Sequence, residues 1–472
     1  MILFASSIIA RPLPAQTAPI SPDRPWHSSD ERKIASEAAR LSESRLGIEP
    51  DRTYTLAELI DLAEAHNPDT RVAWERARAQ VAALGVARSE LYPTLAAATL
   101  AQTSRFEIPF GPLFLRETTQ SFEGTLDLHY LVFDFGGRSG RIGAAAADAL
   151  ASNFAFNDTH RRIIFQVEQA YYRLLNASGQ EVAARASLTN AETVQQAAEE
   201  RLKHGLATLP DVLEARSATA LVRYELQAVL GAEDIARGDL AAALGDLPNV
   251  VIHPQPLDGL SIPNAVEDMV DQAINRAFAE RPDLLEQLAE VRSARARVKE
   301  AHAAFYPNLE LSAAPSIQSL YGLQQQYAWA HTRELNGGLA ISLKWSVFDG
   351  GTRKYRQEQA EANVRRAEAE VGSKRDQIAD EVWTAYSNVK TAFAQRQSAL
   401  AFLEAAAQSY AAALESYTYG VRNLLDVTAA QRTLAQARST DVLARTQVLT
   451  SLADLAFRTG ETIQPGAGKP GQ

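Results

Sequence analysis

The sequence predicts a mainly α-helical chain that also carries alternating strands, built as two copies of one unit around very long coiled-coil helices. Three observations carry this reading. The same ordered landmarks recur at an offset of 214 to 215 residues, two proline-free runs of about 68 residues keep a helical apolar period, and each run follows segments in which apolar and polar residues alternate.

The repeat is the strongest of the three. Asn67-Pro68-Asp69 recurs as Arg281-Pro282-Asp283, and Leu91-Tyr92-Pro93-Thr94-Leu95 as Phe305-Tyr306-Pro307-Asn308-Leu309. Val132-Phe133-Asp134 with Gly136-Gly137 recurs as Val347-Phe348-Asp349-Gly350-Gly351. Ala170-Tyr171, Gly205 and Asp211-Val212 recur as Ala385-Tyr386, Gly420 and Asp426-Val427. The landmarks divide the chain into a signal-like segment and N-terminal arm (1–52), a first repeat (53–245), a linking segment (246–263), a second repeat (264–461) and a tail (462–472).

Within the first segment, Met1 to Ala10 resembles the apolar core and small-residue end of a secretory signal, without a basic start. Residues 11–50, rich in Pro, Ser and charge, are expected to form an extended or partly ordered arm. Each repeat opens on a helix. Thr55-Leu56-Ala57-Glu58 reads as a capping box, in which Thr55 caps a backbone N–H and Glu58 reaches back; Asn264-Ala265-Val266-Glu267 reads as a similar start. A single helix is then expected to run to Tyr92-Pro93 and to Tyr306-Pro307, where proline stops it.

Beyond each proline the period changes to two. Leu309, Leu311, Ala313 and Ile317 alternate with polar neighbours, as do Leu339, Ile341, Leu343, Trp345 and Val347, and in the first repeat Phe122, Leu126, Leu128, Tyr130 and Val132. Segments of roughly ten residues, apolar on one face and polar on the other, are what a membrane barrel requires, although a half-buried soluble sheet alternates in the same way. Tyr92, Tyr130, Tyr306 and Trp345 fall at the helix-proximal ends, where an interfacial aromatic belt would lie. Ser104–Ser121 and Ser319–Asn336 are expected to be long loops joining the strands.

The runs after Gly137 and Gly351 would each reach ~100 Å as continuous helix. Their apolar residues keep helical spacing (Ile164, Val167, Tyr171, Leu174; Ile378, Val382, Ala385, Val389), which indicates coiled coil rather than a globular core helix. A second helix returns from the glycine turns at Gly205 and Gly420 and ends near Gly245 and Gly460.

Composition narrows the function. The net charge of −10 argues against a nucleic-acid partner, whose phosphates call for basic surface. With no cysteine, thiolate nucleophiles and disulfides are excluded. No HExxH pair, P-loop or GxSxG occurs, and Phe133-Asp134-Phe135-Gly136 lacks the companions of the kinase motif it superficially matches. No enzyme activity and no cofactor or metal is expected. No run of eighteen or more apolar residues follows the first segment, so any membrane crossing must be by strands.

Duplicated helix–strand–strand–helix–turn–helix units, with Tyr-Pro before the strands and Phe-Asp-x-Gly after them, resemble the TolC family of outer-membrane efflux and secretion channels over roughly residues 53–461. The resemblance implies a homotrimer in the outer membrane of a Gram-negative bacterium. Each copy gives four strands to a twelve-stranded barrel standing in lipid, and its helices form a periplasmic tunnel. It implies a periplasmic adaptor (a membrane fusion protein) and an inner-membrane transporter of the RND, ABC or MFS class as partners in a tripartite efflux pump or type I secretion system. A soluble periplasmic coiled-coil structural or adaptor protein is the alternative. By position in the family's gate segment, Tyr417 and Arg422 would tie the closed helices, Asp211 would be the partner carboxylate, and Asp426 would ring the constriction. Ala429 and Pro210 depart from the family pattern there. The tips at Gly205, Leu206, Gly420 and Val421 would dock the adaptor.

Overall fold

The computed structural model describes residues 52–263, 269–324 and 330–461, the region 30–40, and positions 23, 46, 48 and 49. The signal-like segment, the helix start at Asn264 to Glu267 and the tail 462–472 lie outside the described residues. In the arm, expected to be extended or partly ordered, α1 (Glu31–Arg40) is helical. Short β1 (Thr53–Tyr54) precedes α2 (Leu56–His66), whose capping box forms as read: Glu58 N–H donates to Thr55 Oγ1 at 3.4 Å and Thr55 N–H to Glu58 Oε2 at 2.9 Å.

The expected single helix before Tyr92-Pro93 is two helices, because α2 stops at Asn67 and α3 (Pro68–Ser89) starts afresh. Proline lacks the N–H that continuation needs and pushes the preceding residue out of the helical region, so Asn67 adopts φ −64°, ψ 125° and caps α3 by accepting the Asp69 N–H at 2.8 Å. The second repeat breaks identically at Arg281-Pro282, between α6 (Val270–Glu280) and α7 (Pro282–Ala303).

The strands β2 (Thr94–Phe110) and β3 (Leu113–Phe133) form one antiparallel hairpin closed over Gly111-Pro112, so the loop expected at Ser104–Ser121 is paired strand to its end. Later in the chain, after β4 (His253–Pro254), which pairs in parallel with β1, come β5 (Asn308–Ala313), β6 (Ser316–Gln324), β7 (Ala330–Asn336) and β8 (Leu339–Lys344). Much of the second expected loop, Ser319–Asn336, is therefore also strand. Breaks at Ala314-Pro315 and Gly337-Gly338 leave the ladder in register, since Leu126 N–H donates to Pro315 O and Ala314 N–H to Gly338 O. The six segments thus make four lanes in the order β2, β3, β5/β6, β8/β7. The outer edges of β2 and of β7/β8 have no strand partner among the described residues.

Each sheet half feeds a long helix, α4 (Gly137–Lys203) and α8 (Thr352–Thr418), of 67 residues apiece. The Phe-Asp-x-Gly signature has a local cause. Asp349 Oδ2 accepts the Arg353 N–H at 3.1 Å and Asp134 Oδ2 accepts the Arg138 N–H, so both aspartates satisfy orphan donors of the first turn. Gly136 and Gly351 take φ 102° and 90°, a turn that a side chain would strain.

The return helices are α5 (Leu209–Ala243) and α9 (Leu424–Thr459). Near the sheet the helices lie side by side in the order α3, α4, α7, α8; farther away the order is α5, α4, α9, α8. At the junction a core of Leu59, Ile60, Tyr171, Leu174, Leu240 and Ile252 gathers α2, α4, α5 and the linking segment. The chain is a wall four elements wide, in the sheet and in the helices alike.

At Gly140, α4 and α7 approach until only hydrogen fits: an added Cβ would lie 2.7 Å from Glu300 N and 2.9 Å from Ala296 O. Gly140→Ala is expected to destabilise the fold by ~1–3 kcal/mol through a helix–helix clash that backbone cannot relieve cheaply. Gly143→Ala, whose nearest neighbour would be Ala296 Cβ at 3.4 Å, is expected to be close to neutral. Thermal unfolding of the two variants in detergent checks the contrast; equal melting temperatures would contradict it.

Candidate functional site: the barrel face and the helical tip

Strand register decides what each sheet face presents. Leu95 lies opposite Leu128, Leu128 opposite Ala313, and Ala313 opposite Leu339; Tyr130 lies opposite Leu311, and Leu311 opposite Ile341. One face is therefore a continuous apolar band. Along β3 it runs from Phe122 to Val132, which matches the ~9–11 residues a tilted strand needs to cross a bilayer. The other face carries Thr94, Asp127, His129, Ser312, Glu310, Ser342 and Lys344, with Lys344 Nζ 2.5 Å from Glu310 Oε2.

The apolar band is uncovered: Leu339 is 73 % exposed, Ile341 71 % and Leu343 66 %. Among the described residues, helices join the sheet only at its rim, and no layer of the chain shields that face. A patch of this kind belongs against lipid. No described helix is long and apolar enough to cross a membrane itself. At the helix-proximal rim Tyr92 and Trp345 are exposed, Trp345 Nε1 donates to Phe305 O at 3.1 Å, Tyr306 stacks on Phe135 with centroids 5.0 Å apart, and Tyr130 lies at the end of the band.

At the opposite end the two helix turns close by the same device. Gly205 (φ 71°) and Gly420 (φ 79°) sit just past their helices. The next amides reach back five residues, Leu206 N–H to Arg201 O at 2.8 Å and Val421 N–H to Ser416 O at 2.9 Å. This satisfies carbonyls that would otherwise be orphaned. Leu206 and Val421 project their side chains into solvent. Behind them a small core of Ala198, Val212, Ala413, Tyr417, Leu424 and Val427 holds the two hairpins together.

The four gate residues expected from the sequence do not all meet within one protomer. Asp211 completes a capping box, accepting from Thr208 N at 2.8 Å and from Thr208 Oγ1 at 2.7 Å; these hydrogen bonds hold its carboxyl below the usual carboxylate range. Tyr417 is 3 % exposed, and its buried hydroxyl has no hydrogen-bond partner among the described residues. The Arg422 guanidinium and the Asp426 carboxylate are exposed, with no side-chain partner in the protomer among the described residues. Asp426 stands in the first turn of α9, where Asn423 accepts its N–H at 2.9 Å.

The side chain that does join the two hairpins is one the sequence reading passed over. Arg201 Nη1 donates to Tyr417 O at 2.5 Å and Thr418 O at 3.3 Å, Nη2 donates to Leu206 O at 3.2 Å, and the guanidinium lies 4.7 Å from the Tyr417 ring centroid. One cation thus caps the C-terminal carbonyls of α8 and braces its own turn. The available signal was a basic residue in the last turn of α4 at the repeat position where Ser416 stands in the second unit.

A lipid-facing sheet that continues into a wall of paired long helices defines an outer-membrane channel protein. The family model described as outer membrane efflux protein matches residues 59–246 and 273–461, and the chain belongs to that family, the TolC-type channels. It is similar to protein CyaE of Bordetella pertussis, with 29 % identity over 412 residues, 86 % of this chain and 84 % of that one. It is also similar to the alkaline protease secretion protein AprF of Pseudomonas aeruginosa, with 25 % identity over 341 residues, 72 % of this chain and 70 % of that one. The solved outer membrane protein VceC of Vibrio cholerae shares the fold, with a TM-score of 0.70 at 21 % identity over 86 % of this chain and 96 % of that one.

Proposed function

We propose that three copies of this chain close into a duct that carries cargo from an inner-membrane transporter and its periplasmic adaptor across the outer membrane. The observation that carries this reading is the pair of matching free edges. On one side the protomer ends in β2, α3 and α5, and on the other in β7/β8 and α8. Unpaired strand edges are not viable in lipid, and four lanes are too few to close a barrel alone, so the edges call for copies of the same chain. Both free helical flanks carry exposed large apolar residues, Tyr224 and Ile235 on α5 and Trp383 and Leu400 on α8, as a helix-to-helix seam requires.

In this reading the rim aromatics lie at the inner lipid interface, the helical tip faces the periplasm, and the exposed Leu206 and Val421 beside Gly205 and Gly420 meet the adaptor. Arg422 reaches a carboxylate of a neighbouring copy, and the three Asp426 carboxylates surround the axis. The relatives named above include a protein-secretion component, and another is named for pyoverdine export, so the cargo class is set by the transporter rather than by this chain. A soluble coiled-coil protein is disfavoured by the uncovered apolar band.

Amine crosslinking in native membranes is expected to trap a trimer extractable only by detergent. A photo-crosslinker at Val421 is expected to capture the adaptor in the same membranes. Monomer alone, or recovery in the aqueous fraction, would remove the proposal.

A further inference from the structure

The β2–β3 hairpin changes the polarity of its faces partway along its length. On β3, from Phe122 to Val132, the lipid-side positions are apolar and the opposite face carries Glu123, Asp127 and His129. At the end of the β3–β6 ladder, from the Arg105–Thr118 pair onward, the phase inverts while the pairing continues. The face that continues the polar, lumen side now holds Phe106, Ile108, Leu113 and Leu115, and the face that continues the lipid side holds Arg105, Glu107 and Arg116, with Pro109 and Phe114 at the apex and Arg116 3.2 Å from Glu107. Strict alternation makes this unambiguous, because residues opposite each other in an antiparallel pair share a face.

Past that ladder the hairpin is a two-stranded ribbon with no neighbour on either edge among the described residues. Phe106 is 48 % exposed and Leu113 65 %. An isolated ribbon with one apolar face is marginal in water and needs cover for that face. Lipid cannot supply it, because this apolar side is the lumen side; the lipid side carries Arg105, Glu107 and Arg116 below Phe114 at the apex.

We infer that the three ribbons fold over the barrel mouth and pack their apolar faces on one another, forming a hydrophobic closure at the end of the channel remote from the helical tip. The inference rests on the trimeric duct proposed above. Reach allows it. A twelve-stranded barrel with strands ~4.8 Å apart and tilted ~40° has a radius of ~12 Å, and the four residues from Glu107 to Phe110, past the ladder, extend ~13 Å. Gly111, at φ 59°, lets the chain reverse in a two-residue turn at the apex. A narrow ring of apolar side chains excludes water and ions without any charged latch, and rising cargo can part it.

The chain has no cysteine, so single thiols can be placed without background. In intact cells, Thr125→Cys, on the lumen face, is labelled from outside with a bulky membrane-impermeant maleimide, alone and combined with Phe106→Ser and Leu113→Ser. The polar pair is expected to speed labelling about tenfold or more, since it wets the constriction. Separately, Leu113→Cys in otherwise unaltered protein is expected to join copies through a short bifunctional maleimide, and the joined protein should export less. Amine crosslinking of the same membranes reports whether the trimer is present. A trimer whose labelling rate ignores the serine pair and whose Leu113→Cys copies do not join would overturn the closure and leave the duct intact; absence of the trimer would overturn both. An unchanged labelling rate together with reduced export of an apolar cargo would make the ribbon a passage lining, which also overturns the closure.

Discussion

Asp283→Ala is expected to be the most destabilising single change in the helical wall, by ~3–5 kcal/mol, because it strands buried positive charge. At the start of α7, Asp283 binds Arg281 at 2.7 Å and Lys374 of α8 at 3.1 Å, and lies 3.9 Å from Arg161 of α4. Arg281 also holds Glu381 of α8 at 2.7 Å, and Arg458 of α9 joins the same glutamate at 3.1 Å. Arg281 and Arg161 are each about 4 % exposed at the side chain, so neither can turn to water when Asp283 is lost. The cluster sits where α7 hands its place in the wall to α9, and it ties four helices at that step.

Burial pushes the Asp283 carboxyl up, but the hydrogen bonds and charges of Arg281 and Lys374 overcome it and hold the group well below the usual carboxylate range. Burial likewise acts against Glu381, and Arg281 again prevails. A carboxyl with a depressed folded pKa contributes its full stability above its unfolded value, near pH 4, and loses it as pH falls through the folded value. Wild-type stability should therefore drop below about pH 4, and Asp283→Ala should flatten that limb. Glu168 works in the other direction. Burial pushes it up to about 7, so its protonation favours the fold below that pH and the contribution fades as pH rises to neutrality. Glu168→Gln should remove that slope and leave the acid limb unchanged. Urea unfolding in detergent from pH 3 to 8 measures both, and an Asp283→Ala profile parallel to wild type would refute the assignment.

Elements governed by their own sequence were legible before any coordinates. The capping box at Thr55 and Glu58 needs only a span of four residues, and the long helices need only the absence of proline and a sustained period. Membrane strands were legible where the apolar phase stayed on one face. The ribbon from Arg105 to Arg116 was read as loop because its phase inverts there, although its backbone pairing does not. Asn67-Pro68 served as a repeat landmark when its chemistry also dictated a helix break. Arg281-Pro282-Asp283 was visible as a repeated motif, but its meaning depends on Glu381, Lys374 and Arg458, which only the fold brings near. Arg201 was the least legible, since what it caps lies 216 residues away.

Arg201→Ala is expected to open the resting channel more than any other single change at the tip. Its guanidinium is the sole donor from the first hairpin to the Tyr417 and Thr418 carbonyls among the described residues, and it also lies over the Tyr417 ring. A hydrogen bond from a charged donor contributes ~1.5–3 kcal/mol and an exposed cation–π contact ~0.5–1 kcal/mol, with partial exposure favouring the lower figures. Every ~1.4 kcal/mol lost per copy shifts the closed-to-open ratio about tenfold, and in the proposed trimer three copies would lose it together. Resting conductance in planar bilayers should therefore rise at least tenfold. Arg201→Lys should recover only part of the closure, because an ammonium cannot fork across three carbonyls. Arg422→Ser and Tyr417→Phe form the complementary pair. Neither side chain's polar group has a partner among the described residues of the chain, so in the proposed trimer any conductance they add measures contacts between copies. In the proposed trimer, Asp426→Ala should leave closure intact and weaken cation preference, since it removes from each copy an exposed carboxylate that Ala429 does not back up. Wild-type conductance in Arg201→Ala would show that the two hairpins are held by their apolar core alone. Unchanged ion selectivity in Asp426→Ala would move the constriction away from the first turn of α9.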